Sequence, residues 1–164
     1  MAAAAQRSFR HEAESFRSYC HRQFGADLDY SFDSLALLDG VLDECYQGLK
    51  SMNETEGWTF LNNISLAAGS YLGEVLARQC NGHWEPGPEP GHLQNWYVTI
   101  PARAGPPRQM PVFKAVYDFL ERGPTETLLA FVAPLLTADG EWPHATTAPR
   151  TPRSAKPHPA HRRH

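Results

Sequence analysis

The stretch from Leu66 to Trp84, LAAGSYLGEVLARQCNGHW, constrains the fold more than any other part of the chain. Its spacing predicts a helix over Leu66–Cys80, although Gly69 and Gly73 each cost about 1 kcal/mol relative to alanine in a helix interior. Packing must offset that cost. Ser70, Glu74 and Arg78 recur at every fourth residue and form one narrow polar stripe, which the pattern assigns to water. Leu66, Ala68, Leu72, Val75 and Leu76 share the remaining circumference with the two glycines. Such a helix belongs in the middle of a core. Glycines one turn apart let a neighbour approach the backbone, so Gly69 and Gly73 are expected to seat a second helix or the sheet. The segment is too short and too charged for the membrane reading of that spacing. On an exposed face, Glu74 one turn before Arg78 contributes about 0.2 to 0.5 kcal/mol. Asn81-Gly82 supplies a left-handed stop, with Gly82 a structural position, and Trp84 opens a strand.

The flanking segments supply what this helix packs against. Phe9, Ala13, Phe16, Cys20 and Phe24 recur at offsets of three and four and predict an amphipathic helix from Arg7 to Phe24, ended by Gly25. A second helix is expected after an N-cap at Ser31, with Leu35, Leu38, Leu42, Cys45 and Leu49 inward. Residues 51–63 read as a loop, in which Trp58 is expected to anchor in the core. His83-Trp84-Glu85 starts a strand that Pro86, Pro88 and Pro90 stop. Gln94–Ile100 is the best strand, with Trp96, Val98 and Ile100 on one face, and a third lies around Arg108–Met110. Pro111 suits the first turn of a helix carrying Val112, Val116, Phe119 and Leu120. Thr125 is placed to cap a final helix that is apolar almost all round, and burial is its expected fate. The sequence thus predicts an α+β fold. Four to five helices surround a central buried helix, beside a small antiparallel sheet of two to four strands.

One globular domain is expected over residues 1–137. Residues 138–164, rich in proline, alanine, arginine and histidine, read as a disordered basic tail. Charge divides the same way. Residues 143–164 hold five Lys/Arg and no Asp/Glu, whereas residues 1–142 hold ten against eighteen, a net of −8. So acidic a body is a poor candidate for binding nucleic acid directly, and any such binding is expected through 143–164. Cys20, Cys45 and Cys80 are odd in number and widely spaced, so they make no disulfide framework and fit a reducing, cytoplasmic setting. The N-terminus lacks the apolar run of a signal peptide, and no apolar stretch reaches membrane length.

Motifs that carry chemistry are scarce. Cys80-x-x-His83 with Cys20-His21 is the nearest approach to zinc spacing, but paired hooks are missing and Cys20 lies on an apolar stripe, so no metal is expected. Asp39 and Asp43, one turn apart, read as a solvated helix face rather than an acid/base pair. No nucleophile elbow or phosphate-cradling loop occurs, and no cofactor is expected. A ligand-binding or enzymatic site, if present, would use Glu74, His83, Trp84 and Trp96 where the central helix exits onto the sheet.

The segments LDYSFDSLALLD, GSYLGEVLARQCNGHW and PVFKAVYDFLERG resemble a group of small bacterial domains of unknown function. That group carries an L-D-Y/W-S-x-x-S-L-x-x-L-D helix start, then G-x-Y-L-G-E-V, then G-G-x-W. Asp29, Ser31, Ser34, Leu35, Gly69, Tyr71, Leu72, Gly73, Glu74, Gly82 and Trp84 match the pattern, which covers roughly Leu28 to Gly123. Asn81 stands where the pattern usually has glycine. The resemblance implies an α+β fold in a bacterial cytosol and implies no activity. The leading expectation is a non-enzymatic protein-interaction or accessory module with a protein partner of unknown identity and no membrane. The alternatives are ligand binding or catalysis near Glu74, and polyanion binding through residues 143–164.

Overall fold

In a computed structural model of the chain, residues 2–89, 91–102 and 105–137 are described, and the predicted central helix is the second half of a longer one. The order is α1 (Ala2–Phe24), α2 (Ser34–Leu49), α3 (Glu54–Gln79), β1 (His83–Pro86), a 3-10 turn (Leu93–Asn95), β2 (Trp96–Ile100), β3 (Arg108–Met110), α4 (Val112–Arg122) and α5 (Leu128–Thr137). The fold is α+β. The tail expected over 138–164 lies outside the described residues.

The expected loop over 51–63 is instead the first half of α3. Asn53 caps it, accepting the Glu56 N–H at 3.0 Å, and Glu54 and Glu56 put acid in the positive first turn. The Asn-x-x-Glu spacing carries the start signal; the polar composition obscured it. Trp58 departs from its expected core position and is 60% exposed, because the core face of these turns is taken by Leu61 and Ile64. At the other end the Cys80 N–H bonds Leu76 O at 2.9 Å, and Asn81 turns left-handed at φ +51°.

Close approach occurs at the three structural glycines. A Cβ on Gly69 would lie 2.4 Å from Phe113 of α4, one on Gly73 would lie 2.1 Å from the Trp84 indole of β1, and one on Gly82 would lie 2.7 Å from Val98. So α4 and the sheet both press on α3. The third side is covered by α1, and this overturns the expected solvated stripe: Ser70 and Glu74 are wholly buried beneath α1. The apolar stripe of α1, from Phe9 to Cys20, needs a long surface to cover, and α3 provides it. The hydroxyls of Ser65 and Ser70 are buried without a hydrogen-bond partner among the described residues.

α1 starts at Ala2, earlier than Arg7, because the leading alanines are the best helix formers. It ends in a left-handed cap at Gly25 (φ +64°), with Gly25 N–H on His21 O at 3.1 Å and Ala26 N–H on Cys20 O at 3.3 Å. Ser31 still receives the Ser34 N–H at 3.2 Å, but regular α2 begins only at Ser34. The sheet is an antiparallel meander β1-β2-β3, with Trp84 opposite Val98 and Val98 opposite Met110. Trp96, Val98 and Ile100 form the buried inner face of β2. The cap of α5 is not at Thr125. Thr127 accepts the Ala130 N–H at 3.0 Å, and Asp39, far away on α2, accepts the Leu128 N–H at 2.8 Å. Leu128, Val132 and Leu135 are buried, but Leu129 is exposed, so α5 lies on the surface of the core rather than inside it. Among the described residues no helix is long and apolar enough to cross a membrane.

Candidate functional site

Glu74 is the buried ionisable group around which the most charge is assembled. Its side chain is 1% exposed, with Oε2 3.4 Å from Arg10 Nε and 3.5 Å from Arg78 Nε. Oε1 accepts the indole N–H of Trp84 at 3.3 Å. Three elements therefore converge: α3 supplies Glu74 and Arg78 one turn apart, α1 supplies Arg10, and β1 supplies Trp84. Removing a carboxylate from water costs several kcal/mol, which two guanidinium groups and one N–H donor offset here.

The charges continue outward in alternation. Arg78 Nη2 lies 3.4 Å from Glu14 Oε1, which also accepts the Tyr30 hydroxyl at 2.9 Å, and Glu14 Oε2 accepts Arg17 Nη1 at 2.9 Å. The Arg78 guanidinium sits 3.6 Å over the Tyr30 ring. Partial burial pushes the Glu14 carboxyl up, but the donors Tyr30, Arg17 and Arg78 outweigh it and hold the group below 4.5. Burial, then the bond to Glu14, pushes the Tyr30 phenol up. Tyr30 occupies a left-handed conformation at φ +63°. Its N–H donates to the Tyr71 hydroxyl at 2.9 Å, its carbonyl accepts from Gln79 at 2.9 Å, and Tyr71 bonds Ser34 at 2.6 Å. Those bonds offset a backbone cost of about 1 to 3 kcal/mol. The cluster thus fastens α1 and the 25–33 loop to α3.

The sequence candidates divide within this frame. Glu74 and Trp84 meet directly, and Trp96 joins them through Phe9, whose ring centroid is 4.6 Å from Trp84 and 5.2 Å from Trp96. His83 stands apart. It faces solvent on the other side of β1, with Nε2 2.9 Å from Glu85 Oε1. A bond from Thr99, then one from His83, draws the Glu85 carboxyl down. Burial lifts the Cys20 and Cys80 thiols to about 12 and Cys45 to about 11, far from the thiolate that metal binding or nucleophilic attack requires. Among the described residues no group of three or more His, Cys, Asp or Glu is gathered to hold a metal. Asp39 is not part of a solvated acid pair. Burial raises its carboxyl, the N–H groups of Leu128 and Leu129 draw it partly back, and its work is to cap α5, while Asp43 accepts from Gln47.

Concave surface among the described residues includes three places away from Glu74. A cavity of about 530 Å³ between the end of α1 and the 25–33 loop is lined by Arg17, His21, Arg22, Asp27 and Asp29, and His21 is already 2.6 Å from Asp27. A second, about 320 Å³, lies between α4 and α5. The third, about 490 Å³, follows the first turns of α3 and is lined by Met52, Thr55, Glu56, Thr59, Phe60 and Asn63. Sequence reasoning missed the surface around this third site. Residues 33–63, the α2–α3 hairpin, contain six Asp/Glu against Lys50 alone, and Lys50 is turned onto the Tyr46 ring at 4.2 Å. The same hairpin carries Leu37, 47% exposed, and Trp58. The local charge count was a signal in the sequence; the outward face of Trp58 was not.

In comparisons with known proteins, the chain matches no family model, no curated protein and no solved structure.

Proposed function

We propose that the protein is a non-enzymatic interaction module that binds a basic protein segment on the α2–α3 hairpin. The observation that carries this reading is Trp58, a tryptophan 60% exposed on a helix whose surroundings hold acid almost without counter-charge. Tryptophan is enriched among residues that dominate binding energy, and its exposure before binding leaves a large apolar area for a partner to cover. Glu54, Glu56 and Glu44, all exposed, supply the complementary field, which steers a basic partner and fixes its register. The internal clasp supports the same reading from the other side, since Glu74 is engaged by two arginines and an indole and is closed to solvent. A bacterial cytosolic setting, suggested by the resemblance of the Leu28–Gly123 segments, belongs to this proposal.

Selection of a displayed random-peptide library on the full chain tests it. Lys/Arg-bearing peptides with apolar or proline anchors are expected, and their binding is lost in Trp58→Ala while the thermal unfolding of that variant is unchanged. A selection that yields no peptide dependent on Trp58 overturns the proposal.

A further inference from the structure

We infer that residues 143–164 of the chain occupy the α2–α3 face in the absence of a partner and compete with it; this rests on the reading of that face given above. Charge is the first argument. The segment carries Arg150, Arg153, Lys156, Arg162 and Arg163 with no acid, against a hairpin of net −5. Backbone preference is the second. Pro143, Pro149, Pro152, Pro157 and Pro159 favour the extended polyproline conformation, whose ridges dock on exposed aromatic rings at low entropic cost, and Trp58 is such a ring. The third is the point of departure. α5, the helix that leads into the segment, is packed on α2 and tied to it at its first residue by the Asp39 carboxylate on the Leu128 N–H, so the segment follows a helix seated on one arm of the acidic hairpin. Reach is ample: thirteen extended residues from Thr137 to Arg150 span up to about 45 Å, whereas the whole of α2 is about 24 Å long. A tethered segment acts at roughly millimolar effective concentration, so contacts too weak to hold a free peptide suffice in cis. The same segment, displaced by a tighter basic partner, becomes available for other contacts.

The test uses the full chain with Trp58 replaced by the photo-crosslinking residue p-benzoylphenylalanine, a position whose exposure makes it tolerant. Illumination is expected to join position 58 to residues 143–164 of the same chain, with a yield independent of protein concentration. Three exposed ion pairs at about 0.2 to 1 kcal/mol each amount to roughly tenfold in the internal equilibrium. Reversal at Arg150→Glu, Arg153→Glu and Lys156→Glu should therefore lower the crosslinking yield and, in a chain that keeps Trp58, tighten the binding of library peptides. The product of the two factors is about ten, roughly threefold each where about three-quarters of the chains are occupied. Crosslinks confined to residues 2–137, crosslinks between chains that grow with concentration, or none at all would overturn the inference. If Trp58-dependent peptide binding persists in that event, only the tail's role fails; if it is absent too, the interaction face itself fails.

Discussion

Glu74 shows how a single residue can be visible in a sequence while its role is not. Its four-residue spacing from Ser70 and Arg78 marked a polar stripe, but a stripe looks the same whether water or a second helix faces it. The answer lay sixty-four residues away, in Arg10. Two substitutions separate its bonds from its packing. Glu74→Gln keeps an acceptor for the Trp84 indole and should cost about 1 kcal/mol in urea unfolding, whereas Glu74→Ala leaves the indole N–H unpaired beside a void and should cost about 3 kcal/mol. Equal losses in the two variants would mean that the Trp84 bond holds nothing. Glu14, further out in the same cluster, carries a pH dependence. Folding lowers its pKa, so the unfolded chain binds more protons in acid. Its stabilisation is complete above the ordinary value near 4.5 and is lost as pH falls through the folded value. Urea unfolding of Glu14→Gln should thus show a deficit of about 1 kcal/mol near neutrality, modest because the group is half exposed, and the deficit should close as pH falls through the folded value. A constant deficit from pH 7 to pH 3 would assign the loss to packing.

Among the elements, the helices with a clean apolar period were legible, and so was β2, a run of aromatic and β-branched residues. The short β1 and β3 were marked by the prolines beside them, Pro86 and Pro88 after Trp84 and Pro107 and Pro111 around Arg108–Met110. What remained hidden was set at long range. The first half of α3 is polar enough to resemble a loop, and its start depends on one side chain, Asn53. The cap of α5 comes partly from Asp39, which no local pattern joins to Leu128. The glycines of α3 were legible in kind, since only close packing offsets their helical cost, but not in partner. A paired comparison tests that argument at the level of the helix. Gly40, in the interior of α2, has nothing within 4 Å of an added Cβ, so Gly40→Ala should stabilise by about 0.5 to 1 kcal/mol. Gly73→Ala gains the same propensity but drives a methyl into the Trp84 ring, which is wedged against Phe9 and Phe113 and cannot swing away. Its net effect should be a loss of about 2 to 3 kcal/mol in thermal or urea unfolding. A stabilising Gly73→Ala would refute the close approach of β1 to α3.

For the whole molecule, charge is distributed by position in the fold and not only along the chain. The arginines Arg10, Arg17 and Arg78 are drawn into the clasp between α1 and α3, where Glu14 and Glu74 neutralise them. Glu44, Glu54 and Glu56 of the α2–α3 hairpin have no such arginine among the described residues and are exposed, as are Trp58 and Leu37. A surface so arranged binds by screened attraction plus one apolar anchor, and the two contributions respond differently to salt. The affinity of a basic, proline-bearing peptide should fall as ionic strength rises from 0.05 to 0.5 M, because the Debye length shrinks from about 14 to about 4 Å and uncouples charges not in direct contact. Glu54→Gln with Glu56→Gln should weaken the same peptide several-fold at low salt and flatten its salt response. The double variant also removes acid from the first turn of α3, at about 0.3 to 1 kcal/mol per residue, so its unfolding must be followed alongside. Trp58→Ala should do the reverse, lowering affinity at every salt concentration and leaving the slope intact, since the indole contributes area and no charge. Calorimetric titration across that salt range distinguishes the two. If both variants changed affinity and slope in parallel, anchor and field would not be separable, and the binding would be a general property of an acidic surface instead of a site centred on Trp58.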